Sequence, residues 1–209
     1  MNDLVLISYT DSLLGNYFKS CRDDLKHFIE HKDISIRIHC DHDGCKKQVL
    51  EETICDLSDN YIVVAFTHGN ENAVIDQNTT ELIHKTESGN YHNAIFYSIA
   101  CSNASSLGKE LINYSSKLFF GYNQDTHGIQ GPQNLVKIFI ESENFALKRI
   151  LSGITDGKAL YEETYTFFTQ KIETLKEENK LLAPLLLHNR EAMQIYTNEN
   201  GNKKSFPEI

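Results

Sequence analysis

The chain has no tryptophan, and its 209 residues include only three prolines and two methionines. So few prolines leave little material for a stiff linker, and no shift in composition divides the sequence. No apolar run approaches the roughly 20 residues that cross a bilayer, so no membrane partner is expected. The N-terminal segment MNDLVLISYTDS has no basic stretch, and its apolar run is only Leu4 to Ile7. That is not the pattern of a secretory signal, and a cytoplasmic location is expected. Cations are also scarce, with 20 Lys and Arg against 29 Asp and Glu and a formal net charge of -9. Such a deficit excludes the basic face that sequence-independent binding to nucleic acid requires, although it tolerates a basic substrate. Neither GxGxxG nor GxxxxGK[ST] occurs, so nothing points to a nucleotide, and no cofactor is expected. The five cysteines Cys21, Cys40, Cys45, Cys55 and Cys101 are an odd number, expected to be mostly thiols in a reducing compartment.

What is present is an alternation of apolar strands with amphipathic helices. Asp3–Tyr9 (DLVLISY) reads as a first strand. Asp11 or Ser12 can cap a helix running to about His31. SIRIH (35–39) reads as a second strand, and 44–57 as a helix with Val49, Leu50, Ile54 and Leu57 on one face. YIVVAFTHG (61–69) is a third strand, apolar until His68. A polar excursion with a short strand at 73–75 leads to AIFYSIAC (94–101), a fourth strand ending at Cys101. Ser105 can cap a short helix, and KLFFGY (117–122) is a fifth strand. Residues 133–151 and 158–180 read as two long helices, and 181–188 as a helical return broken by Pro184. Strands apolar on both faces and separated by helices imply an α/β fold with a mostly parallel central sheet and helices on both faces. Residues 1–197 read as a single domain and 198–209 as a frayed polar tail.

In sheets of this type the functional crevice lies beyond the carboxyl ends of the strands. His68 and Cys101 stand at the ends of consecutive apolar strands. Neighbouring parallel strands lie about 5 Å apart, so an imidazole and a thiol could face one substrate there. The chemistry suits the pair: a thiol becomes a strong nucleophile when a base takes its proton, and an imidazole can return that proton to a leaving amine. Gly69 lets a carbonyl approach the backbone, so the Gly69 and Cys101 N–H groups could serve as an oxyanion hole. Taken singly, a cysteine at a strand end is usually packing, and His-Gly is usually a turn. The paired placement favours catalysis.

AFTHG (65–69) followed by SIACSN (98–103) resembles the caspase-like cysteine peptidases, in which one apolar strand ends in His-Gly and the next in Ala-Cys. The helix before the His-bearing strand, KLFFGYNQD (117–125) and GKALYEETYTFF (157–168) look most like the CHAT and separase branch, and the resemblance spans roughly 34–170. It implies a caspase-like three-layer sandwich, a His68–Cys101 dyad, no metal, and endopeptidase action on a protein substrate. Asp125 matches the position of the acid with which basic-specific members read the residue before the cut; it reads equally well as a turn residue in NQDTHG. Other basic-specific relatives carry an acid two residues before the nucleophile, where this chain has Ile99. The resemblance also implies control by a regulatory protein partner or by maturation, and relatives work in microbial defence and cell death.

Two further groups of residues have the types that could carry chemistry. HCDHDGC (39–45) offers His39, Cys40, His42 and Cys45 to zinc, but its short span and its acids favour a solvated loop. His127, near the crevice, reads as a surface turn ahead of a pocket residue. The alternative for the whole chain is a non-catalytic α/β binding module, either a degenerate peptidase relative or a flavodoxin-like ligand domain.

Overall fold

The β-branched and aromatic segments of the sequence line up as one sheet in a computed structural model that describes residues 3–9, 14, 16–40, 47–57, 60–76, 78–199 and 201–207. Strand β1 (Asp3–Ser8) leads to helix α1 (Tyr17–Ile29), β2 (Ser35–Cys40), α2 (Lys47–Cys55) and β3 (Ile62–Phe66). Three short strands follow: β4 (His68–Gly69), β5 (Ala73–Ile75) and β6 (Glu81–His84). Then come a 3-10 turn (Lys85–Asn90), β7 (Ile95–Ser98), α3 (Leu107–Asn113) and β8 (Leu118–Tyr122). Helices α4 (Gln133–Leu151), α5 (Gly157–Glu178) and α6 (Ala183–Ala192) precede β9 (Met193–Glu199) and β10 (Asn202–Phe206).

The main sheet has seven strands in the order β10-β9-β8-β7-β3-β1-β2. The five strands from β2 to β8 are parallel to one another, and β9 and β10 add antiparallel. This is an α/β protein with a mostly parallel mixed sheet flanked by helices. Alternation divides the core. Leu4, Leu6, Ile62, Val64, Phe66, Ile95 and Tyr97 pack with α1, α4 and α5 on one face. Val5, Ile7, Val63, Ala65 and Phe96 pack with α2 and α3 on the other. Central strands buried on both sides explain the unbroken apolar runs in the sequence.

The structure departs from the sequence reading in several places. The tail does not fray: Asn202–Phe206 pairs with β9, with Phe206 opposite Ile195 and buried. Pro184 does not break a helix but sits in the first turn of α6, where its missing N–H is no loss. His68 and Gly69 do not extend β3; they form the first strand of a separate three-stranded sheet with β5 and β6. Helix α1 begins at Tyr17, and its expected caps Asp11 and Ser12 lie outside the described residues. So does 41–46 of the HCDHDGC segment. Of the flanking pair, Cys40 is disulfide-bonded and His39 Nδ1 lies 3.4 Å from Lys26 Nζ. Among the described residues no group of three or more His, Cys, Asp or Glu is placed to hold a metal, and no helix is long and apolar enough to cross a membrane.

Candidate active site

The parallel ladder between β3 and β7 pairs Ala65 with Ser98, and the Ile99 N–H continues it to Ala65 O at 3.0 Å. Three residues further along each chain come His68 and Cys101. The ladder therefore brings the two segments out side by side at the carboxyl edge of the sheet. Both are half-buried. The strands then part, and the two segments touch through Gly69. A Cβ built on Gly69 would lie 2.7 Å from Ala100 Cβ, 2.7 Å from Asn103 Nδ2 and 3.0 Å from Ala73 O. Only glycine allows so close an approach at this point.

Asn103, fully buried, ties the two segments together. Its Oδ1 accepts the Ser98 hydroxyl at 2.8 Å, and its Nδ2 donates to Asn70 O at 2.7 Å and Ala73 O at 2.8 Å. Ser98 Oγ in turn accepts the Ala100 N–H at 3.2 Å. The turn after the His-bearing strand is thus stitched to the turn after the Cys-bearing strand. Asn103→Ala strands these partners in a dry site and is expected to cost about 3 kcal/mol in urea unfolding. An unchanged midpoint would show that the stitch carries no stability.

Cys101 sits at a bend. Ser102 has φ +57°, a conformation costly for a residue with a Cβ. Ser102 is held there from two sides: its N–H donates to Gln124 O at 3.0 Å and its hydroxyl to Asp125 Oδ1 at 3.0 Å. The Cys101 sulfur receives the Thr126 N–H at 3.4 Å and lies 3.8 Å from Thr126 Oγ1. Among the described residues no group accepts the Cys101 N–H, which leaves that donor available. The His68 ring packs edge-on against Phe18 of α1, with centroids 5.4 Å apart.

The other described cysteines differ. Cys21 is fully buried, and burial, followed by the Glu143 charge, pushes its thiol well up into an inert range. Cys40 is disulfide-bonded, and Cys55 is exposed at the end of α2. Cys101 is the free thiol at the sheet's carboxyl edge.

Asp125 lies beside this site through Ser102, and its side chain is exposed. It follows β8 on a surface loop, where water keeps a carboxylate solvated. Ile99, two residues before Cys101, is buried in the core. The His127 ring lies tilted against that of His188 with centroids 4.9 Å apart, and its pKa is pushed down, first by partial burial and then by that imidazole, while Asp125 opposes the shift. Sequence reasoning did not find Asn103 or Thr126. Each is a polar residue in a polar loop, and only the fold reveals its partner.

Comparison with protein families, curated proteins and solved structures gives no match to this chain.

Proposed function

We propose that this protein is a caspase-like cysteine endopeptidase that cuts after a basic residue of a protein substrate. The observation that carries the reading is the side-by-side exit of the segments bearing His68 and Cys101 from the β3–β7 ladder, with Gly69 packed on Ala100. In this reading the sandwich of sheet and helices is of the caspase-like three-layer kind. Cys101 Sγ attacks the scissile carbonyl carbon, and the thiol proton passes to the His68 imidazole. The carbonyl oxygen gains the negative charge and receives the Cys101 and Gly69 N–H groups. The carbon–nitrogen bond then breaks, and the imidazolium gives its proton to the departing amine. Water hydrolyses the thioester by the same path in reverse, with His68 as base. No metal or cofactor is needed for these steps. A partner or a maturation cleavage would control the enzyme.

The edge-on contact of His68 with Phe18 favours a second reading, in which the histidine serves packing and the domain only binds a partner. A positional substrate library profiled on the purified protein separates the two. The peptidase reading expects cleavage after Arg or Lys. It also expects Asp125→Asn to lower kcat/KM for basic substrates about a hundredfold while leaving neutral ones alone. No cleavage by a fully folded sample, with candidate activators present, favours the binding module. Cleavage with the basic preference intact in Asp125→Asn removes Asp125 from the pocket.

A further inference from the structure

The loop Asp125–Gly128 passes over Cys101, and what holds it comes from helix α6, more than sixty residues later in the chain. On the outside, His188 Nε2 donates to Asp125 O at 2.9 Å. On the inside, Asn189 takes both ends of His127. The His127 N–H donates to Asn189 Oδ1 at 2.8 Å, and Asn189 Nδ2 donates to His127 O at 2.9 Å. The same Nδ2 donates to Glu143 Oε1 at 2.8 Å, while the Tyr122 hydroxyl donates to Glu143 Oε2. Asn189 is fully buried and Glu143 is 2% exposed. Glu143 fixes which way the amide faces, because a carboxyl oxygen beside it needs the NH2 end.

Between these anchors sits Thr126. Its N–H points at Cys101 Sγ and its hydroxyl donates to Ile99 O at 3.2 Å. An N–H aimed at sulfur favours the thiolate over the thiol, and the gain depends on the donor staying in place. We propose that Asn189, oriented by Glu143, is a positioning residue that holds the 125–127 loop so that the Thr126 amide stays on the Cys101 sulfur. This rests on the reading of Cys101 as the nucleophile. Asn189 touches neither substrate nor sulfur, and acts through the His127 peptide.

The test is iodoacetamide alkylation of Cys101, followed residue by residue by mass spectrometry across pH 6 to 9.5, in the otherwise intact chain. With Asn189→Leu, close in size to the native side chain, the Cys101 rate at pH 7 is expected to fall about tenfold and to recover at pH 9.5, where the thiolate forms unaided. Cys55, exposed and distant in the chain, is the internal control and stays constant. Simple loosening of the fold would instead raise the Cys101 rate at every pH, and that result overturns the proposal, as does a profile identical to wild type. If Asn189→Leu does not fold, His188→Ala tests the same loop from its exposed side. About a threefold fall at pH 7 with recovery at pH 9.5 supports the proposal, and no change overturns it. Alkylation needs no peptide hydrolysis, so the outcomes separate. A shifted profile in a protein that cuts nothing keeps the positioning role and discards the peptidase; cutting with an unshifted profile does the reverse.

Discussion

Replacing Cys101 with alanine is expected to lower hydrolysis of arginyl and lysyl peptides by roughly 10³-fold or more, with the unfolding midpoint nearly unchanged. Cys101 is half-buried at the rim of the sheet rather than in its core, so losing the sulfur opens no sizeable cavity. In the proposed mechanism it removes the atom that forms the acyl intermediate. His68→Ala is expected to act on the same step, with a fall of about 10² to 10⁴. Combined, the two changes should cost little more than Cys101→Ala alone, because residues acting as a unit are not additive. Progress curves on a fluorogenic lysyl substrate, with urea titrations of each variant, measure both halves. Equal activity in Cys101→Ala and wild type would place the chemistry elsewhere.

The second large effect concerns stability. Glu143 sits under the sheet, and burial pushes its pKa from 4.5 up to about 7 against the opposing hydrogen bonds from Tyr122 and Asn189. The folded protein therefore keeps a proton on Glu143 that the unfolded chain releases near pH 4.5. The sign follows from linkage: the associated stability is whole below about pH 4.5 and is lost as pH rises through about 7. The gap between the two values corresponds to about 3 kcal/mol. Glu143→Gln stays neutral, and its amide can still accept from Asn189 and donate to the Tyr122 oxygen. Relative to wild type, the glutamine variant should thus gain about 3 kcal/mol between pH 4.5 and pH 8, read as a growing difference in urea midpoints. Parallel pH dependences in the two proteins would show that Glu143 ionises in the fold as readily as in water.

The sequence made the parallel part of the sheet legible for a plain reason. β1, β3, β7 and β8 are buried on both faces, so their apolar runs are unbroken and cannot be mistaken for surface. Helix α4 reads at its observed bounds because its apolar stripe is complete. The antiparallel end of the sheet was not legible. β10 is NKKSF, an edge strand whose exposed lysines discourage further pairing and disguise it as tail. β9, MQIYTNE, joins a buried half to a polar half and follows a helix without a break. β6, ELIH, is too short to show a period.

The candidate site divides the same way. His68 and Cys101 could be read because each ends an apolar run. Asn103, Thr126 and Asn189 could not, since each is one polar residue among several, and its meaning lies in a partner distant in the chain. Asn103 bridges two turns that the sequence separates by some thirty residues, and Asn189 reaches back over sixty to the loop above the sulfur. Gly69 lies between these cases. Its value as a donor could be proposed from its place after histidine, but its contact with Ala100 and Asn103 emerged only from the fold.

The most direct test is the structure of the protein after reaction with a lysyl acyloxymethyl ketone. The account predicts a thioether from the ketone's methylene carbon to Cys101 Sγ. It also predicts the ligand oxygen within hydrogen-bond reach of the Cys101 and Gly69 N–H groups, and the His68 ring on the leaving-group side. An adduct on Cys55 or Cys21, or a His68 ring still seated against Phe18 and turned away from the ligand, would contradict it.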